Sequence, residues 1–381
     1  MQLVKLVATK LPEERNLTMP EQLNSSTEKA MPVPNPERIP IFFILSRPRT
    51  GSTLLRTLFD AHPNVQIPPE CQFIVNLHPK YGKITHWTEA IMRNFVHDLE
   101  GQFLFTTWNL DTALLLDALL HHTGNQRYGT ICKAVYLHYQ SVYNKSEVKL
   151  IGDKNPGYAL YTKLLSEIFP EAKFIHLTRD YRDNHVSLSR VEFELPIVAL
   201  TVFKWKYFYK TISGAITRCP MRFHTLRYED LVREPENSLK GVCSFLTIDY
   251  APEMLTFYQR KKAVEALYDS KKLNKIHASL MHPVNTSNIG YWKKNLSKKQ
   301  VKIADYTIGR YAAKAGYERQ YAGFNLFIWL AAQPGIVLAR SIYAATWLVN
   351  RFPYKQRQYI LSELPFVLGG FWKKYFQRSA A

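Results

Sequence analysis

Four groups of residues carry the chemistry open to this chain. The first is Leu45-Ser46-Arg47-Pro48-Arg49-Thr50-Gly51-Ser52-Thr53-Leu54-Leu55, where an apolar run turns sharply into a helix pattern. Such a turn aims backbone N–H groups and the positive end of a helix dipole at one point, which makes an anion site. Gly51 permits close approach, Thr50, Ser52 and Thr53 add hydroxyl donors, and Arg49 offers a planar fork for phosphate or sulfate. The second group is Arg179 at the end of another apolar run, with Ser187 eight residues on in the helix pattern that follows. A strand-end guanidinium and a helix hydroxyl can converge on one phosphate at the carboxyl edge of a sheet. The third is Lys154, also just past a strand. The fourth is Glu70, in the apolar, Pro-rich context Ile67-Pro68-Pro69-Glu70-Cys71, where desolvation favours proton uptake by a carboxylate. His62 is the rival base, but its place beside Pro63 at a helix end reads as a cap.

The elements that must position these groups follow from periodicity. Ile41–Leu45 is a short continuous apolar run, the pattern of a parallel strand buried on both faces. Similar runs lie at 148–151, 173–177 and 221–226, each followed by a helical pattern: 52–61 after the first, then 158–168, 183–191 and 235–245. Strand and helix alternating in this way predict βαβ units, hence an α/β fold with a central parallel sheet flanked by helices. Residues 72–147, rich in Leu, His and aromatics, read as a helical insertion able to build an acceptor pocket, with helices near 87–99 and 112–122.

The two loop signatures together resemble those of the sulfotransferase family, whose donor is 3′-phosphoadenosine-5′-phosphosulfate (PAPS). The resemblance implies a P-loop-like three-layer sandwich. It implies that residues 49–53 hold the 5′-phosphosulfate, and that Arg179 and Ser187 hold the 3′-phosphate. Arg227-Tyr228-Glu229-Asp230-Leu231 looks like a family segment whose Tyr places the adenine or ribose, and Gly290-Tyr291-Trp292-Lys293 looks like its late element. Here Asn285-Thr286-Ser287 stands where the cytosolic small-molecule enzymes carry Arg-Lys-Gly, so Ser287 joins the expected donor contacts. Asp60-Ala61-His62-Pro63-Asn64-Val65 followed by Glu70 resembles a run of the protein-tyrosine sulfotransferases, and implies Glu70 as catalytic base. Lys154 matches the lysine expected to stabilise the leaving phosphate. Gln72 departs from the tyrosylprotein enzymes, which carry an Arg there, and this weakens the transfer of their acidic-peptide specificity. The product would be 3′,5′-adenosine bisphosphate.

Of the 381 residues, 50 are Lys or Arg against 31 Asp or Glu, a formal net charge of +19. A strong basic excess calls for an anionic partner, whether nucleic acid, an acidic membrane or a phosphorylated ligand. No recognition-helix or RNA-binding signature accompanies it, and nucleic acid is not expected. A P-loop kinase would need a Lys after the last glycine, where Ser52 stands. The four scattered cysteines form no C-x-x-C pair, and no Cys/His cluster suggests a metal. The N-terminus lacks the long apolar stretch of a secretory signal, so a cytoplasmic protein is expected. The expected organisation is a poorly ordered arm over 1–38, a sulfotransferase domain over 39–320, and an apolar and basic helical extension over 321–381. That extension and the aromatic-rich insertion favour a lipophilic hydroxyl acceptor, such as a sterol or lipid, with peripheral membrane contact. Tyrosylprotein and carbohydrate acceptors remain the alternatives.

Overall fold

The computed structural model describes residues 35–108, 110–260, 280, 282–349, 351, 352, 356, 357 and 360. Ile41–Leu45 (β1) is buried along its whole length and lies at the centre of a parallel sheet. Its neighbours are Leu150–Lys154 (β5) on one side and Lys173–Thr178 (β6) on the other. Val65–Gln66 (β2) adds to the edge of β5, and Phe223–Arg227 (β7) adds to β6, which gives the order β2-β5-β1-β6-β7. A short antiparallel pair, His86–Trp87 (β3) with Gly124–Asn125 (β4), ties the two ends of the insertion together.

Alternation along β1 explains why its run is uninterrupted. Ile41, Phe43 and Leu45 face one core, shared with Phe73–Tyr81 (α2), Glu89–Glu100 (α3), Thr112–Leu120 (α4) and Tyr128–Leu137 (α5). Phe42 and Ile44 face another, shared with Ser52–Asp60 (α1), Tyr228–Arg233 (α9) and Pro235–Leu246 (α10). A strand covered on both faces has no polar side to show. Phe43 is the hinge of the first core, with the rings of Tyr158, Phe169 and Phe174 at 6.0, 5.7 and 5.7 Å.

Several boundaries differ from the sequence reading. β5 runs through Gly152, Asp153 and Lys154, because Asp153 is satisfied inside the sheet by the Tyr136 hydroxyl and by Asn155. The single helix expected over 158–168 is a 3-10 turn, Pro156–Leu160, followed by Thr162–Ile168 (α6). Residues 1–34 of the expected arm lie outside the described residues, whereas Pro36–Arg38 form a turn with Pro36 buried. Beyond β6, Tyr181–Leu188 (α7) opens on Asp180, whose side chain accepts from Arg182 N. The long Val198–Arg218 (α8) then carries the chain away from the site. Trp292–Asn295 (α11), Lys298–Ile308 (α12), Tyr311–Lys314 (α13) and Leu326–Val349 (α14) follow. α14 lies across α8, and Gly335 allows the approach: a Cβ there would stand 2.8 Å from Ala199 Cβ.

Candidate active site

The five strands of the main sheet run the same way, so the segments that leave β1, β5, β6 and β7 emerge at one edge, where the order reverses around β1. In open parallel sheets this is where ligands bind. The loop from β1 to α1 is shaped by two left-handed residues, Arg49 at φ 65° and Gly51 at φ 95°. Gly51 is required twice over, because a Cβ there would also fall 2.4 Å from the Tyr228 ring. α1 begins after Gly51 with no side-chain cap, which leaves its first-turn N–H groups to an anion. Thr50 does not contribute the outward hydroxyl expected of it. It is 1% exposed, donates to Arg47 O at 2.6 Å and holds the loop in shape. Asn184, on α7, braces the same loop through Pro48 O at 2.8 Å.

Arg179 and Ser187 do come together with this loop. Arg49 Nε donates to Ser187 Oγ at 3.1 Å, and Arg179 donates to Arg49 O at 3.3 Å and to Asn288 O at 2.8 Å. The Arg179 guanidinium lies 4.6 Å from the centre of the Tyr228 ring, is buried, and leaves Nε without a hydrogen-bond partner among the described residues. Burial, and then the neighbouring Arg179, hold the Arg49 pKa below its ordinary value. Two adjacent guanidinia under that strain are a place where an anion is stabilised. Asn288 is brought in by Asp183, whose carboxylate accepts from Gly290 N at 2.7 Å and Trp292 N at 2.8 Å. Ser287 lies next to Asn288, but its hydroxyl donates to Asn285 Oδ1 at 2.5 Å.

Glu70 and Lys154 meet as an ion pair, since the first follows β2 and the second ends β5, its neighbour. Lys154 Nζ also donates to Thr53 Oγ1 at 3.2 Å, which joins the pair to the donor loop. Burial holds the Lys154 ammonium below its ordinary pKa, while Glu70 pulls the other way. The expected desolvation of the carboxylate is incomplete, for 35% of the Glu70 side chain is exposed. Its backbone is pinned more firmly. Trp108 Nε1 donates to Pro69 O at 3.0 Å, Arg56 Nε donates to Ile67 O at 3.0 Å, and Asn155 Nδ2 donates to Cys71 O at 3.3 Å. His62 precedes β2 and so lies at the opposite edge of the sheet. Its Nδ1 accepts from Asn64 N at 3.0 Å, and Nε2 meets Asp249 O at 2.7 Å, so the imidazole is neutral and structural.

The family model for sulfotransferases matches residues 40–252, more than half of the 381. The chain belongs to the sulfotransferase family. It is 24% identical over 292 residues to protein-tyrosine sulfotransferase 1 of Danio rerio, covering 74% of each chain. It is 26% identical over 251 residues to the omega-hydroxy-beta-dihydromenaquinone-9 sulfotransferase Stf3 of Mycobacterium tuberculosis, covering 54% of this chain and 62% of that one. Among solved structures, the sulfotransferase domain of the Synechococcus PCC 7002 olefin synthase superposes with a TM-score of 0.50 at 25% identity, covering 78% of this chain and 99% of that one.

Arg47, in the same loop as Arg49, does not face the donor edge but turns inward. Its guanidinium pairs with Glu194 at 2.7 Å, and Lys204 pairs with the same carboxylate at 2.7 Å. Glu194, Asp183, Asn184 and Arg56 are the positioning residues that sequence reasoning missed. A buried carboxylate facing two cations leaves no mark in local periodicity. Only for Asp183 and Asn184 was there a signal, since both stand inside the Arg179-to-Ser187 segment.

Proposed function

We propose that this sulfotransferase takes its sulfuryl group from PAPS and delivers it to a hydroxyl oxygen of a lipophilic alcohol. The observation that carries the reading is the meeting of Glu70, Lys154 and Thr53 beside a loop faced by the buried Arg179, which among the described residues forms no ion pair. The edge suits an anionic donor, because Arg49, Arg179, the Ser187 hydroxyl and the uncapped first turn of α1 gather there. Arg49, Gly51, Ser52 and Thr53 would hold the 5′ end, and Arg179 with Ser187 the 3′-phosphate. The Tyr228 ring, fixed between Gly51 and Arg179, would take the adenine or ribose. When bound, the donor supplies the sulfuryl group and a phosphate that leaves.

The remaining steps belong to the chain. Glu70, partly open to solvent, receives the acceptor's hydroxyl proton on its carboxylate. Lys154, sealed behind it, offers a buried ammonium to negative charge developing on the leaving oxygen. Gln72 stands where tyrosylprotein enzymes carry Arg and its side chain lies against Gly157, which argues against an acidic peptide. The exposed apolar helix α14 favours a lipophilic acceptor, and the Stf3 relative bears the name of one. The Asp60-to-Val65 run and the Danio rerio relative favour a tyrosylprotein acceptor as the second reading.

An acceptor screen with labelled PAPS is expected to label a lipophilic alcohol. Labelling of tyrosyl peptides alone selects the second reading, and labelling of sugars alone overturns both. Glu70→Gln is expected to bind 3′,5′-adenosine bisphosphate as the wild type does while losing transfer by roughly 100- to 10,000-fold. Wild-type turnover in that variant removes Glu70 from the chemistry.

A further inference from the structure

Apart from Gln333, Arg340, Ser341 and Thr346, α14 is apolar around its circumference. Ala332, Gly335, Ile336 and Ala339 form the stripe that packs on α8 and α12. The opposite stripe, at three- and four-residue spacing, reads Leu330, Pro334, Val337, Ser341, Ala344 and Leu348, and carries no charge. Phe327 is 79% exposed, Val337 55% and Leu348 53%. The helix spans about 36 Å at 1.5 Å per residue. A helix with no polar face belongs in a core or against lipid, and an exposed apolar surface of this length marks an interaction site.

A second observation states the chemistry of the partner. Around Lys206 on α8 gather Lys210 on α8, Arg310 just before α13, Lys314 on α13, and Arg340 from α14 itself. Lys206, Arg310 and Lys314 share the Tyr311 ring at 5.4, 5.8 and 5.6 Å, and Arg340 lies 5.7 Å from the Phe203 ring. Among the described residues no carboxylate forms an ion pair with any of the five. Burial, and then repulsion from Arg310, Arg340 and Lys210, lower the Lys206 pKa. An uncompensated basic cluster beside an apolar ridge is complementary to acyl chains under anionic headgroups.

We infer that α14 and its flanking cations dock this protein on an anionic lipid bilayer, with the helix lying in the interface. The helix is long and apolar enough to cross a membrane, but its stripe of Ala332, Gly335, Ile336 and Ala339 packs on α8 and α12, which favours the interface over a span. Docking would also place the bilayer beside the donor loop. Tyr343 on α14 stacks on Tyr207 at 3.9 Å and lies in the field of Arg47 and Glu194, which brace that loop.

Sedimentation of the full chain with vesicles of phosphatidylcholine, with and without phosphatidylserine, tests this. Wild-type protein is expected to sediment with the anionic vesicles and to be released by salt. Val337→Glu is expected to abolish binding, and Lys210→Ala and Arg310→Ala to weaken it about fivefold each. All three should keep the wild-type melting temperature and 3′,5′-adenosine bisphosphate binding. Failure of the wild type to bind, or binding by Val337→Glu as tight as wild type, overturns the inference. So does a fall in melting temperature or a change of oligomeric state in Val337→Glu, which would show the face to be covered by this chain or a second copy.

Discussion

Lys154 reaches the carboxyl edge with only 3% of its side chain exposed, and its charge there answers to Glu70. A buried ammonium gives up its proton more readily than a free one, because burial disfavours the charged form. Its protonated state is the one that can stabilise a leaving oxygen. Activity should therefore fall on the alkaline side at a pH below 10.5, the ordinary lysine value. Lys154→Arg, charged throughout, should lose that limb even while turning over more slowly, as a pH profile of kcat/KM would show. An alkaline limb unchanged in the variant would place it elsewhere. At this scale the sequence was most legible where a residue acts through its own backbone position. Gly51 and Arg179 follow strands that show as apolar runs and Lys154 lies just past a third such run, whereas Glu70 was legible only through its Pro-rich context and the resemblance of the run before it. Thr50 and Arg47 could not be placed, because the direction of a side chain depends on partners such as Glu194 that are distant along the chain.

Among the elements, α7 does the most joining. One of its faces supplies Ser187 and Asn184 to the donor loop, and Asp183 holds Gly290 and Trp292. Burial raises the Asp183 pKa to about 6, against the effect of those two N–H bonds. A raised carboxyl pKa means that protonation begins at a higher pH than usual, and the protonated form is the weaker acceptor. Affinity for 3′,5′-adenosine bisphosphate should then decline as pH falls through about 6. Asp183→Ala should lower it roughly 10- to 100-fold at neutral pH, the cost of losing bonds to a charged acceptor, and should flatten the pH dependence. Titration calorimetry would check both. Elements with a continuous pattern, such as β1 and α10, match their predicted spans almost to the residue. β2 has two residues and no pattern to detect, and β5 continues through Gly-Asp-Lys, which reads as loop until Tyr136 and Asn155 are seen to satisfy Asp153.

The molecule as a whole rests on a sheet whose central strand feeds two cores. Phe43 joins three aromatic rings in one of them, so Phe43→Ala should cost about 3–5 kcal/mol of stability, read as a lower urea midpoint with an unchanged slope. The +19 charge divides in a way that composition could not show. Part of it faces the donor edge, and part of it, Lys206, Lys210, Arg310, Lys314 and Arg340, forms a cluster that includes a residue of the apolar helix. The Asp183 contact also bears on the order of assembly. Gly290 and Trp292 are made long after residue 252, where the family match ends. A nascent chain that has emerged through β7 already owns its sheet and its glycine turn, but nothing yet closes over Arg179. A bound nucleotide would therefore gain its last enclosing contacts only when the late segment docks.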